Sequence, residues 1–291
     1  MAEREPFLAR REIAYRLRDA TQAAGMIRRE LAKQLGRDEP TISHWLRGSR
    51  VIREADVAAV LTTCQVPRTE WDDLLRLVRT QPAPTSILLR GEREHTGYRD
   101  HLADAQSVVE VAATHIPRLA QTTGYAHAWA GQPACVLAAS QLELIPRPTP
   151  VSRTRPWLVP RVTLLVHEAT LRAKVGEPAV MVEQRSRLRW LTTLPYVQLR
   201  IIPGLTHTTA STAGSFTLAR YYEHRPVVLR HEPGGLVGCD DPDYVEDHEQ
   251  TIERLLALAW DTKRTGYHVR FLAPQTDTGE RESLVPAGGE A

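Results

Sequence analysis

Residues 31–50, LAKQLGRDEPTISHWLRGSR, constrain the fold of this chain more than any other stretch, because they read as two short helices joined by a tight turn. Leu31, Ala32 and Leu35 fall on one face of the first helix, and Gly36 supplies a left-handed stop. Asp38 is placed to cap the second helix. Pro40 stands in its first turn, where a missing N–H removes no internal hydrogen bond. Ile42, Trp45 and Leu46 recur at helical spacing and are expected in the core, which sends Glu39, Thr41, Ser43, His44 and Arg47 outward. The pattern is a helix-turn-helix, and its outward residues are of the types that meet base edges and phosphates.

Charge sharpens that expectation. Between Arg10 and Arg53 there are eleven Lys/Arg against five Asp/Glu, whereas the whole chain carries a net charge of only +2. Residues 81–291 hold 22 basic and 23 acidic side chains, so the cationic excess is local to the amino-terminal part. A solvated basic face on an ordinary helical domain gives the same count. Joined to the turn geometry, the excess favours double-stranded DNA, whose phosphates exchange condensed counterions for such side chains. Base contacts are assigned to Thr41, Ser43 and His44, and phosphate contacts to Arg28, Arg29, Arg47 and Arg50. Arg47 has a second option in a two-point contact with guanine. Glu39 either stabilises the start of its helix or accepts from cytosine.

Other functional classes find little support. No apolar run approaches the ~20 residues that cross a bilayer, and the Arg-rich amino terminus lacks the apolar stretch of a secretory signal. The expectation is a cytoplasmic protein that sits with the nucleoid and has no membrane role. Cys64, Cys135 and Cys239 are odd in number and dispersed, the mark of buried or incidental thiols. His167-Glu168 begins like a zinc-protease helix, but position 171 is Leu, and Glu168 is expected to brace a strand–helix junction instead. His115, His207, His224 and His231 show no ligand spacing. Residues 234–238, GGLVG, lack a following Lys-Ser/Thr and read as a hairpin or loop, and no Gly-x-Ser-x-Gly elbow occurs. No catalytic, cofactor-binding or metal-binding residue is assigned.

At 291 residues the chain has room for two domains. An all-α head over residues 7–79 is expected to contain five helices. The first carries Ile13, Leu17 and Ala20; the helix-turn-helix pair covers residues 26–35 and 38–47. A fourth carries Ala55, Val57, Val60 and Leu61, and a fifth, capped by Thr69, carries Trp71, Leu74, Leu75, Leu77 and Val78. Pro82 and Pro84 mark the boundary, dividing the chain into a head at residues 1–81, an α+β body at 87–273 and a disordered tail at 274–291. In the body, helix is expected at residues 100–113 and again after a turn in 116–126, followed by an irregular proline-rich connection at 145–160. Strands are expected at residues 162–166, 197–202, 215–219 and 227–230. Helices at 167–175 and 179–194 are separated by Gly176, an amphipathic helix fills 243–263, and 265–272 adds a further helical turn or two.

Four motifs carry a resemblance across nearly the whole chain: IPRLAQTTGYA at residues 116–126, VHEATLRAKVG at 166–176, the strand ending Ile201-Ile202-Pro203, and Gly214-Ser215-Phe216. With the helix-turn-helix, their order resembles regulators with a lambda-repressor-like (XRE) head and a Scr1-type, antitoxin-like carboxy-terminal domain. The chain departs from that pattern at Arg118, Leu119 and Ala120, where a second glycine and paired leucines usually follow Ile-Pro; where that motif lines a ligand or partner surface, the change alters its specificity or removes the binding. The resemblance implies a bacterial, sequence-specific transcriptional regulator, and its head type implies a homodimer on paired half-sites. A small-molecule effector or a small partner protein is implied for the body. Two rivals stand beside it: an antitoxin-like adaptor that sequesters a small protein, and an enzyme acting on a small metabolite with a vestigial head.

Overall fold

A computed structural model describes residues 8–81, 86–130, 161–204, 214–222 and 224–272. The proline-rich connection at 145–160 and the tail at 274–291, for which sequence expectations were stated, lie outside the described residues, as do Cys135 and His207.

The head is five helices: α1 (Leu8–Ala23), α2 (Arg28–Leu35), α3 (Glu39–Arg47), α4 (Glu54–Thr63) and α5 (Trp71–Thr80). They close on Ile13, Leu17, Leu31, Ile42, Val57, Val60, Trp71 and Leu74, all buried. Two details differ from the sequence reading. α2 begins at Arg28, two residues later than its periodicity indicates, because Gly25 takes φ +64° and turns the chain out of α1. Thr69 is not a cap. It lies inside a 3-10 turn, Arg68–Glu70, that Pro67 initiates, and Trp71 is anchored instead by its indole N–H, which donates to the Val66 carbonyl at 3.0 Å.

The body is an α+β unit around a seven-stranded mixed sheet. Its elements are β1 (Ser86–Leu89), α6 (Glu92–Ala103), β2 (Ser107–Ala112), α7 (Thr123–Ala130), β3 (Arg161–His167), α8 (Glu168–Arg172), α9 (Pro178–Leu191), β4 (Val197–Ile202), β5 (Phe216–Arg220), β6 (Val227–Glu232), β7 (Gly235–Cys239), α10 (Pro242–Leu258) and α11 (Thr262–Arg270). The strand order is β1-β7-β6-β5-β2-β3-β4, with β2, β3 and β4 parallel and the other pairings antiparallel. One face, with Val109, Val111, Leu165, Leu218 and Val228, packs on Val245, Ile252 and Leu255 of α10. The other face, with Val108, Leu164, Val166 and Leu229, belongs to a core that runs without a break into the head.

Residues 100–113, expected as helix, divide between the end of α6 and strand β2. β2 lies between β3 and β5 and is buried on both faces, so Val108, Val109, Val111 and Ala112, on either side of the buried Glu110, lack the alternation of a half-buried strand. The single helix expected at 243–263 breaks at residues 259–261. There the Trp260 N–H donates to the Ile201 carbonyl at 2.9 Å and the Asp261 carboxylate caps α11 through the Arg264 N–H at 2.7 Å. The Ile201 N–H meets Thr265 Oγ1, so this break closes the outer edge of β4.

α1 joins the two units. Its first N–H, at Leu8, donates to the Asp240 carboxylate at 3.0 Å, and its side chain packs on Gly238 of β7. Glu12 is fully buried and takes both Arg16 and Arg93, the latter through two hydrogen bonds of 3.0 and 2.7 Å. Arg93 also reaches Asp19 and Asp100, so α6 is clamped to α1. Arg11 lies over the Tyr221 ring at 4.2 Å and pairs with Asp104 at 2.7 Å, while the Tyr15 hydroxyl donates to the Asp100 carbonyl.

Candidate nucleic-acid interface

The helix-turn-helix has the local geometry that its residues dictate. Gly36 adopts φ +60° and ends α2, and the Asp38 carboxylate accepts from the Thr41 N–H at 3.0 Å at the start of α3. The Thr41 hydroxyl adds a further hydrogen bond, and together they hold the Asp38 carboxyl below the ordinary range. Gly48 ends α3 at φ +68°, with the Arg10 carbonyl only 3.0 Å from where a Cβ would stand. Glycine is therefore required there twice, for backbone sign and for space. Ile42, Trp45 and Leu46 fill the core beneath.

The outward residues divide more finely than the periodicity predicts. Glu39 and Arg47 are exposed, and Thr41 and His44 are half-buried. His44 Nδ1 lies 2.8 Å from Ser49 Oγ, which turns the ring and leaves Nε2 pointing away from that contact. Ser43 is corrected: it is 8% exposed. It sits one position past the buried Ile42, at the seam with α2, where Arg47 donates to its hydroxyl at 2.7 Å and to its carbonyl at 3.1 Å. Arg28 reaches the same hydroxyl at 3.4 Å.

Tertiary structure also sorts the basic residues of the head. Arg16 is paired with Glu12, Arg11 with Asp104, and Arg37 and Arg53 both with Asp56 at 2.7 and 2.9 Å. Arg50 acts on the Asp38 carboxylate, whereas Arg28, Arg29, Lys33 and Arg47 show no ion pair with an acidic side chain among the described residues. The positive potential that remains is thus on α2, α3 and the turn that follows, beside the exposed first turn of α3.

In the body, the IPRLAQTTGYA segment is held from below. Glu110, buried in β2, accepts from the backbone N–H groups of Arg118 (2.5 Å) and Leu119 (3.0 Å). Arg118, Leu119 and Ala120 therefore form a 3-10 turn seated on one carboxylate. Gln184 of α9 completes the seat, accepting from the Thr122 N–H at 2.7 Å and donating to the Ala120 carbonyl at 2.8 Å. Burial, opposed by those two N–H groups and by Arg118, pushes the Glu110 carboxyl up to about 7. Burial and then Arg118 push His115 down to about 4. His115 stacks on Trp129, which stacks on Tyr125, leaving Trp129 half-exposed. Glu110 was missed in the sequence, where a lone acid in a Val-Val-Glu-Val run was its signal. Glu168 braces the junction as expected, accepting from the Gly204 N–H at 3.1 Å, while His167 Nδ1 caps α8 through the Ala169 N–H.

Among the described residues no three His, Cys, Asp or Glu side chains gather as a metal site, and no helix is long and apolar enough to cross a membrane. Cys64 and Cys239 are free and buried. A cleft of about 1720 Å³ is lined by α1 and α5 of the head and by β1 and α6 of the body.

A family model described as a helix-turn-helix domain matches residues 12–74, the span of α1 to α5 that presents α3. A second, described as a domain of unknown function (DUF5753), matches residues 95–270. No curated protein matches the chain. The body match covers more than half of the sequence, and the chain belongs to the DUF5753 family, with a helix-turn-helix DNA-binding domain at its amino-terminal end.

Proposed function

We infer that this chain is a sequence-specific transcriptional regulator of the XRE, lambda-repressor-like type, with a Scr1-type body at residues 87–273 that receives a signal. The observation that carries this reading is the coincidence of two features on one face of the head. The capped, exposed first turn of α3 stands beside Arg28, Arg29, Lys33 and Arg47, which form no ion pair with a described carboxylate. Thr41, His44 and Glu39 are assigned to base edges, Arg29 and Arg50 to phosphates, and Arg28 and Arg47 to the border between the two. Ser43 acts through the arginines that it holds. Such a head covers few base pairs, so a homodimer on paired half-sites supplies the specificity. The head–body cleft, between the α1–α5 surface and β1, supports the body as the receiver of an effector, because a ligand there touches both units.

The test is a binding titration of the full chain against the DNA upstream of its own gene and against scrambled DNA of equal length, at two salt concentrations. Tighter binding to the native sequence that persists at the higher salt is the expected outcome. Equal, weak binding to both would reject specific recognition of that region.

A further inference from the structure

The two ends of the sheet are finished differently. At one end, β4 is closed by Trp260 and by Thr265 of α11 through the Ile201 backbone. At the other, β1 pairs only with β7, and no backbone group of Ser86–Leu89 bonds outside that pairing among the described residues. Two alternate residues of β1 therefore turn their N–H and C=O groups to an open edge. That edge faces the cleft between head and body. All four β1 residues line it although their side chains alternate between faces, which places the cleft along the strand and not over one side of it. On one face Ile87 and Leu89 share a core with Leu74 and Leu77 of α5, which also line the cleft; on the other, Ser86 and Leu88 are exposed. Five arginines line the cleft against three carboxylates, and Arg90, exposed directly after β1, forms no ion pair among the described residues.

We propose that the cleft takes up an extended peptide segment of a partner protein, which adds to the open edge of β1 as a further strand of the sheet. This rests on the reading of the cleft as the place where the body receives an effector, and makes that effector a polypeptide strand. Unpaired N–H and C=O groups at strand spacing match a polypeptide backbone and not a small metabolite. Head helices bound the slot, so an extended segment enters where the sheet of a second folded body does not. The walls set its side chains: apolar at alternate positions, to meet Met26, Leu74 and Leu77, polar between them, and an acid beside Arg90.

The experiment selects random peptides of about ten residues, displayed on phage, against the full chain. Amide hydrogen exchange of the wild type and of Arg90→Glu is then followed with the synthetic form of the strongest binder. Enriched peptides are expected to alternate apolar with polar residues and to carry an acid at one end. Two alternate amides within Ser86–Leu89 are expected to exchange about tenfold more slowly once the peptide is bound. Arg90 is exposed, so Arg90→Glu is expected to weaken that peptide about fivefold at an unaltered melting midpoint. A peptide that slows amides of α5 and α6 but none of β1 overturns strand addition, although the cleft still receives a ligand. Slow β1 amides that need no peptide and depend on protein concentration give the edge to a second copy and overturn the proposal, as does failure to enrich any peptide. The effector role is read separately, by titrating DNA with and without the peptide: slowed β1 amides at unchanged DNA affinity keep the strand site and remove that role.

Discussion

The recognition face and the head–body junction use the same residue type in opposite ways. At the junction Arg11 and Arg93 are withdrawn from water and matched with Asp104, Glu12 and Asp100. On the proposed recognition face Arg28, Arg29 and Arg47 remain exposed and without an ion pair to a carboxylate among the described residues. Buried, matched charge fixes how two surfaces fit, because either partner alone is costly. Exposed, unmatched charge contributes little to stability and is kept for a ligand that brings the opposite sign. The difference turns a count of basic residues in the head into two populations, one that docks head on body and one that we propose for binding.

The largest expected effect tests the docking population. Arg93→Ala leaves Glu12 buried with Arg16 alone, and is expected to lower the stability of the full chain by about 3 kcal/mol, read as a shift of the urea midpoint. A change within about 0.5 kcal/mol would mean that the junction is wet and the pairing incidental. Next comes Glu110, a buried carboxylate whose nearest charge is Arg118 on its own motif. Its folded value of about 7 exceeds the ordinary 4.5, so its contribution to stability is complete below 4.5 and is lost as pH rises toward 7. His115, down to about 4 from 6.5, does the reverse and loses stability as pH falls through that window. The two slopes oppose each other. Glu110→Gln is therefore expected to make stability climb more steeply than wild type between pH 5 and 7, by about 2 kcal/mol in all. Parallel pH curves for the two proteins would show that Glu110 does not titrate there.

Arg47→Ala probes the binding population: about a tenfold loss of DNA affinity, near 1.4 kcal/mol, with an unaltered thermal midpoint. Loss of stability in step with affinity would place Arg47 with the structural arginines. The smallest effect belongs to Asp38→Ala. It removes the α3 cap for about 1 kcal/mol by thermal melt, and weakens DNA binding only as far as the first turn of α3 frays.

Legibility followed the range of the interactions. Gly36, Asp38 and Pro40 act on neighbours within four residues, so the turn, the end of α2 and the cap of α3 were evident from spacing alone. The same locality explains why the parallel strands β3 and β4 stood out as short branched runs. The β2 strand did not, because burial on both faces erases the alternation that separates strand from helix. Nor did the break before α11, since it is set by the Trp260 N–H and the Thr265 hydroxyl of α11 satisfying the Ile201 backbone across the fold. Ser43 was misplaced for a related reason: periodicity gives the face of an isolated helix, whereas α2 and the arginines at both helix ends decide whether that face is covered.

The sequence by itself determined that a helix-turn-helix heads an α+β body, because helix caps, turn glycines and apolar periods are local and their energies act before any tertiary contact forms. Only the tertiary structure decided which arginines pair with carboxylates and which stay exposed, that Glu110 seats the IPRLAQTTGYA turn, and that α1 is shared by both units. Each of those depends on a charge or an N–H meeting a partner far away in the chain, and burial sets the strength of that meeting.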